Sequence, residues 1–161
     1  MLISQKMNDK LCEQIANEQY SSQLYLAIAA AFEKMGLKVF AAYYVKQAQE
    51  ETGHAMKVYK YVIDAGGEVT IKAIAEPKLP DHNVEALVTA ARDHEVKITG
   101  NINDLVALAE KENDYATRSF LGWFVDEQVE EVSSAEELLT LTKMAGAQVL
   151  YLEHRVAQML G

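Results

Sequence analysis

The chain has 161 residues, half of them apolar, with only two prolines, which suits a single domain over residues 1–161. Its 15 Lys and Arg against 24 Asp and Glu leave a net charge of −9, arguing against a nucleic-acid or anionic-membrane partner. The one cysteine, Cys12, excludes an intramolecular disulfide and a Cys-x-x-Cys metal site, and reads as a small semi-buried residue. The opening MLISQKMNDK has no signal-peptide hydrophobic region and no apolar run is long enough to span a membrane, so the cytoplasm is the expected compartment.

The spacing predicts a first helix over about 5–33, with Leu11, Ile15, Glu18, Ser22, Tyr25 and Ala29 on one stripe. Met35-Gly36 breaks it. A second helix over about 38–65 carries Phe40, Tyr44, Gln47, Glu51, His54, Val58 and Tyr61 on its stripe, and Gly66-Gly67 ends it. Both run to roughly 40 Å at 1.5 Å per residue. Residues 66–83 form a long connection holding Pro77 and Pro80. Within it, Val69, Ile71 and Ala73 alternate with Glu68, Thr70 and Lys72, which suggests a short extended piece. A connection this long allows a crossover along the bundle.

The third helix is expected over about 84–112, with Val84, Val88, Ala91, Glu95, Ile98, Ile102, Leu105 and Ala109 inward. Asn113-Asp114 marks a turn. The fourth, about 115–142, carries Leu121, Phe124, Gln128, Glu131, Ala135 and Leu138. A break at 143–146 precedes a short fifth helix over about 147–160, with Val149, Leu150, Leu152, Val156 and Leu160. The expected fold is all-α, a four-helix bundle with a long crossover and a short fifth helix.

The apolar stripes are interrupted near their middles by Glu18, then Glu51 and His54, then Glu95, then Gln128 and Glu131, and no stripe position is Lys or Arg. Buried unpaired carboxylates cost several kcal/mol each and repel one another. Protonation or bound cations relieve that cost, and a bound metal does so directly. Carboxylates with one imidazole suit iron, manganese or zinc. Glu51 and His54 are three apart and so share a helix face. The pattern also repeats. Glu18 to Glu51 and Glu95 to Gln128 are each 33 residues, and each second member is followed at plus three, by His54 and by Glu131. A glutamate from each of two helices plus a Glu-x-x-His pair from each of the other two builds a di-metal site in a bundle core. The second copy departs from it with Gln128 and Glu131. Tyr25, on the face of Glu18, has a ligand carboxylate as its nearest hydrogen-bond partner.

With NEQYSSQLYL (17–26), QEETGHAMKVYKY (49–61) and GWFVDEQVEEV (122–132), the chain resembles bacterial and archaeal non-haem ferritins over essentially its whole length. The resemblance implies a ferritin-like bundle, assembled as a homo-oligomeric hollow 24-subunit shell, that oxidises Fe2+ with O2 or H2O2 and stores ferric mineral. It assigns Glu18, Glu51 and His54 to a first iron site, with Glu51 bridging to a second completed by Glu95, with Gln128 nearby and Glu131 able to contribute. It assigns Glu50, Glu127 and Glu130, with Glu131 shared, to a third iron site, and places Tyr25 beside the centre. No haem is expected, because bacterioferritin holds haem with a Met where this chain has Thr52. One cysteine cannot supply the rubredoxin module of rubrerythrins, and the mini-ferritins lack the fifth helix. The competing class is a di-iron or di-manganese peroxidase or oxidase on the same bundle. Animal ferritins line their three-fold channels with two acidic residues where this chain has Arg118 and Leu121, so iron is expected to enter elsewhere.

Overall fold

The computed structural model describes residues 2–160, and every described element is helical: α1 (Gln5–Lys34), α2 (Lys38–Asp64), α3 (Val84–Lys111), α4 (Tyr115–Ala145) and α5 (Val149–Leu160). The short turn at 35–37 folds α2 back along α1, and Ser22 Oγ donates to the Ala48 carbonyl at 2.8 Å. α1 and α3 also run in opposite directions. Ser4 Oγ bonds Glu112 Oε2 at 2.6 Å at one end, and Ser21 Oγ meets His94 Nε2 at 2.7 Å further along. α3 is therefore parallel to α2, and the connection between them must travel the length of the bundle. α4 returns against α2, with Tyr61 OH 2.8 Å from Thr117 Oγ1.

That connection is neither helix nor strand, and its extended piece does not present its apolar residues to one side: Val69 packs on the core while Ile71 is 62% exposed. It is pinned at its start instead. Asn8 accepts from the Glu68 amide at 2.9 Å and donates to the Glu68 carbonyl at 3.0 Å, as a neighbouring strand would. Cys12, fully rather than partly buried, accepts from the Thr70 amide at 3.4 Å. The two glycines here have different reasons. Gly66 takes a left-handed φ of 76° at the end of α2. A Cβ on Gly67 would lie 2.3 Å from Asn8 Oδ1, so only glycine lets the chain pass under that side chain.

Ser4, Asn83 and Asp114 cap α1, α3 and α4 with their own side chains, accepting from the amides of Met7, Ala86 and Thr117. Leu37, the residue before α2, offers no side-chain cap. The cap of α2 comes from α5, where Glu153 Oε1 accepts from the Val39 and Phe40 amides at 2.8 and 3.1 Å. α4 runs three residues past its expected end, to Ala145, and α5 starts at Val149. Two of the expected inward residues of α5, Leu152 and Val156, are buried in the main bundle core, whereas Leu150 is 81% exposed. Glu153→Ala should lower the stability of the metal-free protein by about 1–2 kcal/mol, the cost of losing a helix N-cap. Urea unfolding followed by circular dichroism measures it, and an unchanged midpoint would mean the contact contributes nothing.

The core is divided in two. One apolar cluster packs Leu24–Phe32 with Phe40–Ala48, Leu87–Ala91, Leu138 and α5; the other packs Met7–Ile15 with Ala55–Val62, Ile98–Ala109, Leu121 and Phe124. Between them lies a belt of buried polar side chains, and that belt is the candidate site. Leu121 is fully buried in the second cluster, so of Arg118 and Leu121 only Arg118 reaches the surface, where its Nε lies 2.9 Å from Glu110 Oε1. No described helix is long and apolar enough to cross a membrane.

Candidate metal centre

Each long helix contributes to the belt at the point where its apolar stripe is broken. Three sets of side chains offer ligand atoms within 4.8 Å of one another: Glu18, Glu51 and His54; Glu51, Glu95 and Glu131; and His54, Glu127 and Glu131. Glu51 belongs to the first two sets and so stands between them. Glu131 and His54 tie the third set to the others.

The buried carboxylates have no cationic side chain to neutralise them: among the described residues no Lys or Arg pairs with Glu18, Glu51, Glu95 or Glu131. Burial, then the neighbouring Glu51 charge, pushes the Glu18 carboxyl well above the usual carboxylate range. Burial, then Glu95 and Glu131, pushes Glu51 up to about 9. Burial and the Glu95 charge lift Glu131 to about 8. Burial raises Glu95 as well, opposed by hydrogen bonds from Tyr25 and Gln128. Glu18 is only 1% exposed and its Oε2 finds no hydrogen-bond partner among the described residues. A buried, unpartnered carboxylate oxygen beside a second carboxylate and an imidazole is an arrangement that a divalent cation relieves.

Hydrogen bonds hold the ligand candidates in place. His54 Nδ1 lies 3.1 Å from Glu51 Oε2, and His54 Nε2 is 3.8 Å from Glu127 Oε1. Tyr25 donates its hydroxyl proton to Glu95 Oε1. Burial keeps that hydroxyl protonated by raising it well above its ordinary range. Gln128 Nε2 donates to Glu95 Oε2 at 3.1 Å and to Thr99 Oγ1 at 3.1 Å, so the amide steadies the carboxylate of α3 from α4. Trp123 packs edge-on to the His54 ring at 5.4 Å between centroids and carries the Lys57 ammonium on its face.

Eight of the ten expected site residues come together here: Glu18, Tyr25, Glu51, His54, Glu95, Glu127, Gln128 and Glu131. Glu50 is half-buried and held by Gln47 Nε2 at 2.9 Å, and Glu130 is exposed; neither is in the three sets. Sequence reasoning passed over Gln14, which donates to Glu18 at 2.7 Å, and Thr99. Each lies four residues from a ligand candidate on the same helix, so the helical spacing that found the ligands could have found both. It also passed over His94, buried against Ser21 and held near 4, chiefly by burial, so that it stays neutral.

Residues 8–145 match the Ferritin-like domain family. The bacterial non-heme ferritin of Staphylococcus aureus is 32% identical over 153 residues, covering 94% of this chain and 92% of that one. The bacterial non-heme ferritin of Staphylococcus haemolyticus is 35% identical over 135 residues, covering 84% and 81%. Among solved structures, an open pore ferritin from the hyperthermophilic archaeon Archaeoglobus fulgidus superposes with a TM-score of 0.94 at 38% identity, covering 97% of each chain.

Proposed function

This chain belongs to the ferritin family, and from that premise we propose that it stores iron and oxidises Fe2+ at the centre between its two apolar clusters. The observation that carries the proposal is Glu51, a buried carboxylate common to two adjoining ligand sets. It supplies a bridge that holds two Fe2+ ions side by side. Glu18 and His54 complete the first position, and Glu95 and Glu131 the second. Each Fe2+ gives one electron to O2, two protons are taken up, and the products are two Fe3+ and one H2O2. Carboxylate oxygens favour the harder ferric ion, so the ligand set itself pulls the reaction forward. Iron is substrate and cargo throughout.

Gln128 is neutral and directs its amide protons to Glu95 and Thr99, so the second position, with Glu51, Glu95 and Glu131, carries one anionic ligand fewer than it would with a carboxylate at 128. That weaker hold is what lets ferric product move on. Tyr25 and Gln128 both act on Glu95 and keep both its oxygens engaged in fixed directions. The third iron is held by Glu127 and Glu131. Glu50 and Glu130 join it only by rotating, since one is bonded to Gln47 and the other lies at the surface. Thr52, bonded to the Ala48 carbonyl, offers no haem ligand, and we expect none to bind.

The assembled form we propose is a homo-oligomeric 24-subunit shell in the cytoplasm, with mineral inside. The test is Fe2+ titration in air, following O2 uptake and then size exclusion. Storage requires a pair of Fe2+ ions consumed per O2 at first, and a shell-sized particle that carries the ferric absorbance. O2 uptake that needs an added organic substrate, or iron that never co-elutes with protein, would reject storage.

A further inference from the structure

Gln14 lies one turn before Glu18 on α1, where residues four apart face the same way. It is a polar side chain only 1% exposed, and a buried amide is tolerated where its donors and acceptor are met. Here both ends are. Nε2 donates to Glu18 Oε1 at 2.7 Å, and Oε1 accepts from Asn17 Nδ2 at 3.2 Å. The two partners fix the amide's orientation, because flipping it would set oxygen against the Glu18 carboxylate and donor against donor at Asn17. The consequence at Glu18 is asymmetric. One oxygen is engaged by Gln14, while Oε2 is buried without a partner and the same carboxyl belongs to the set with Glu51 and His54.

We infer that Gln14 is a positioning residue for iron: it engages Glu18 through one oxygen and holds the other toward Glu51 and His54, so that Glu18 ligates through a single oxygen. The inference rests on the proposal that Glu18 is an iron ligand. A carboxylate with both oxygens free can chelate an ion symmetrically or swing away from it. A fixed donor removes that freedom, and an amide does so without the positive charge by which Lys or Arg would repel Fe2+. On its other side Gln14, with Asn17, forms part of the wall of a solvent-open cleft of about 360 Å³ that Glu13 and Asp104 also line. The same amide therefore separates the ligand from that water.

Gln14→Met keeps the length and the wall but removes the donor. On the assembled protein, calorimetric titration with Zn2+, which cannot be oxidised, should show the affinity at the first position falling by about tenfold, the lower end of the loss typical for outer-shell partners of metal ligands. KM for Fe2+ should rise by a similar factor with kcat at saturation little changed, the pattern of a lost binding contribution. Asn17→Ala removes the amide's second anchor and should shift both quantities the same way by less. Wild-type Zn2+ affinity and KM in Gln14→Met overturn the inference. If that variant does not assemble, an unchanged affinity in Asn17→Ala overturns it instead. Glu18→Ala, titrated alongside, separates the two levels. If it too binds Zn2+ normally, the ligand assignment has failed; if it loses the site while Gln14→Met keeps it, only the positioning role has.

Discussion

Glu18→Ala and His54→Ala should each lose the rapid phase of Fe2+ oxidation, by at least about a hundredfold, since even outer-shell partners of metal ligands cost about 10- to 100-fold when removed. The two residues stand on different helices and share only the first ligand set, together with Glu51. Losing either leaves two ligands, too few to hold Fe2+ beside its neighbour for a paired electron transfer. The fold should survive. Glu18 is a buried carboxyl with an orphaned oxygen, pushed up by burial and then by the Glu51 charge, and removing such a group removes that cost. Far-UV circular dichroism and the elution volume should therefore stay as in the parent. Asp126→Ala, exposed on α4 and in none of the three sets, is the control that should oxidise normally. Stopped-flow absorbance with parallel O2 uptake decides it, and rapid oxidation retained in both variants would sink the assignment of the centre.

The second large effect is on stability against pH. Glu51 is raised to about 9 and Glu131 to about 8 from an ordinary 4.5, so the folded chain holds these protons more tightly than the unfolded chain. Their contribution is complete below pH 4.5 and is lost as pH rises through 8 and then 9. By pH 7 the loss is on the order of 3 kcal/mol for each carboxyl, at about 1.4 kcal/mol per pH unit. His94 works in the opposite sense. Its value is lowered from 6.5 to about 4, so its contribution is full above 6.5 and fades as pH falls toward 4. Between pH 6.5 and 8 the histidine's opposing slope, at most half that of one carboxyl, dies away while both carboxyls keep theirs. Over that window the thermal midpoint of the metal-free protein should fall steadily. Saturating Zn2+ should reverse the trend, because the ion takes the place of the protons and binds the folded state alone. Scanning calorimetry with and without Zn2+ is the measurement. A metal-free midpoint that climbs over this window would mean the folded centre favours charged carboxylates by some interaction other than metal.

The helices and their inward faces follow from local regularities. Apolar residues at spacings of three and four define each stripe whatever it packs against, so the all-α class and the stripe on α3 follow from residues near one another in the chain. The carboxylates were conspicuous for the same reason: a glutamate on an apolar stripe violates a local rule. What packing decided lies at longer range. Glu153 caps a helix that begins more than a hundred residues earlier, and no periodicity announces a cap donated from another element. Spacing marks an apolar face on α5 but not its partner; the structure buries Leu152 and Val156 in the bundle core, because the α2 and α4 surfaces they meet are assembled only in three dimensions. On α4 the sequence places Glu127, Glu130 and Glu131 within a turn of each other, which cannot say which of them turns toward α2. The roll of α4 against α2 settles it, setting Glu127 3.8 Å from His54 and leaving Glu130 in solvent. Spacing along a helix determines which side chains share a face; only the rotation of that helix in the bundle, set by its packing with other helices, determines where the face points.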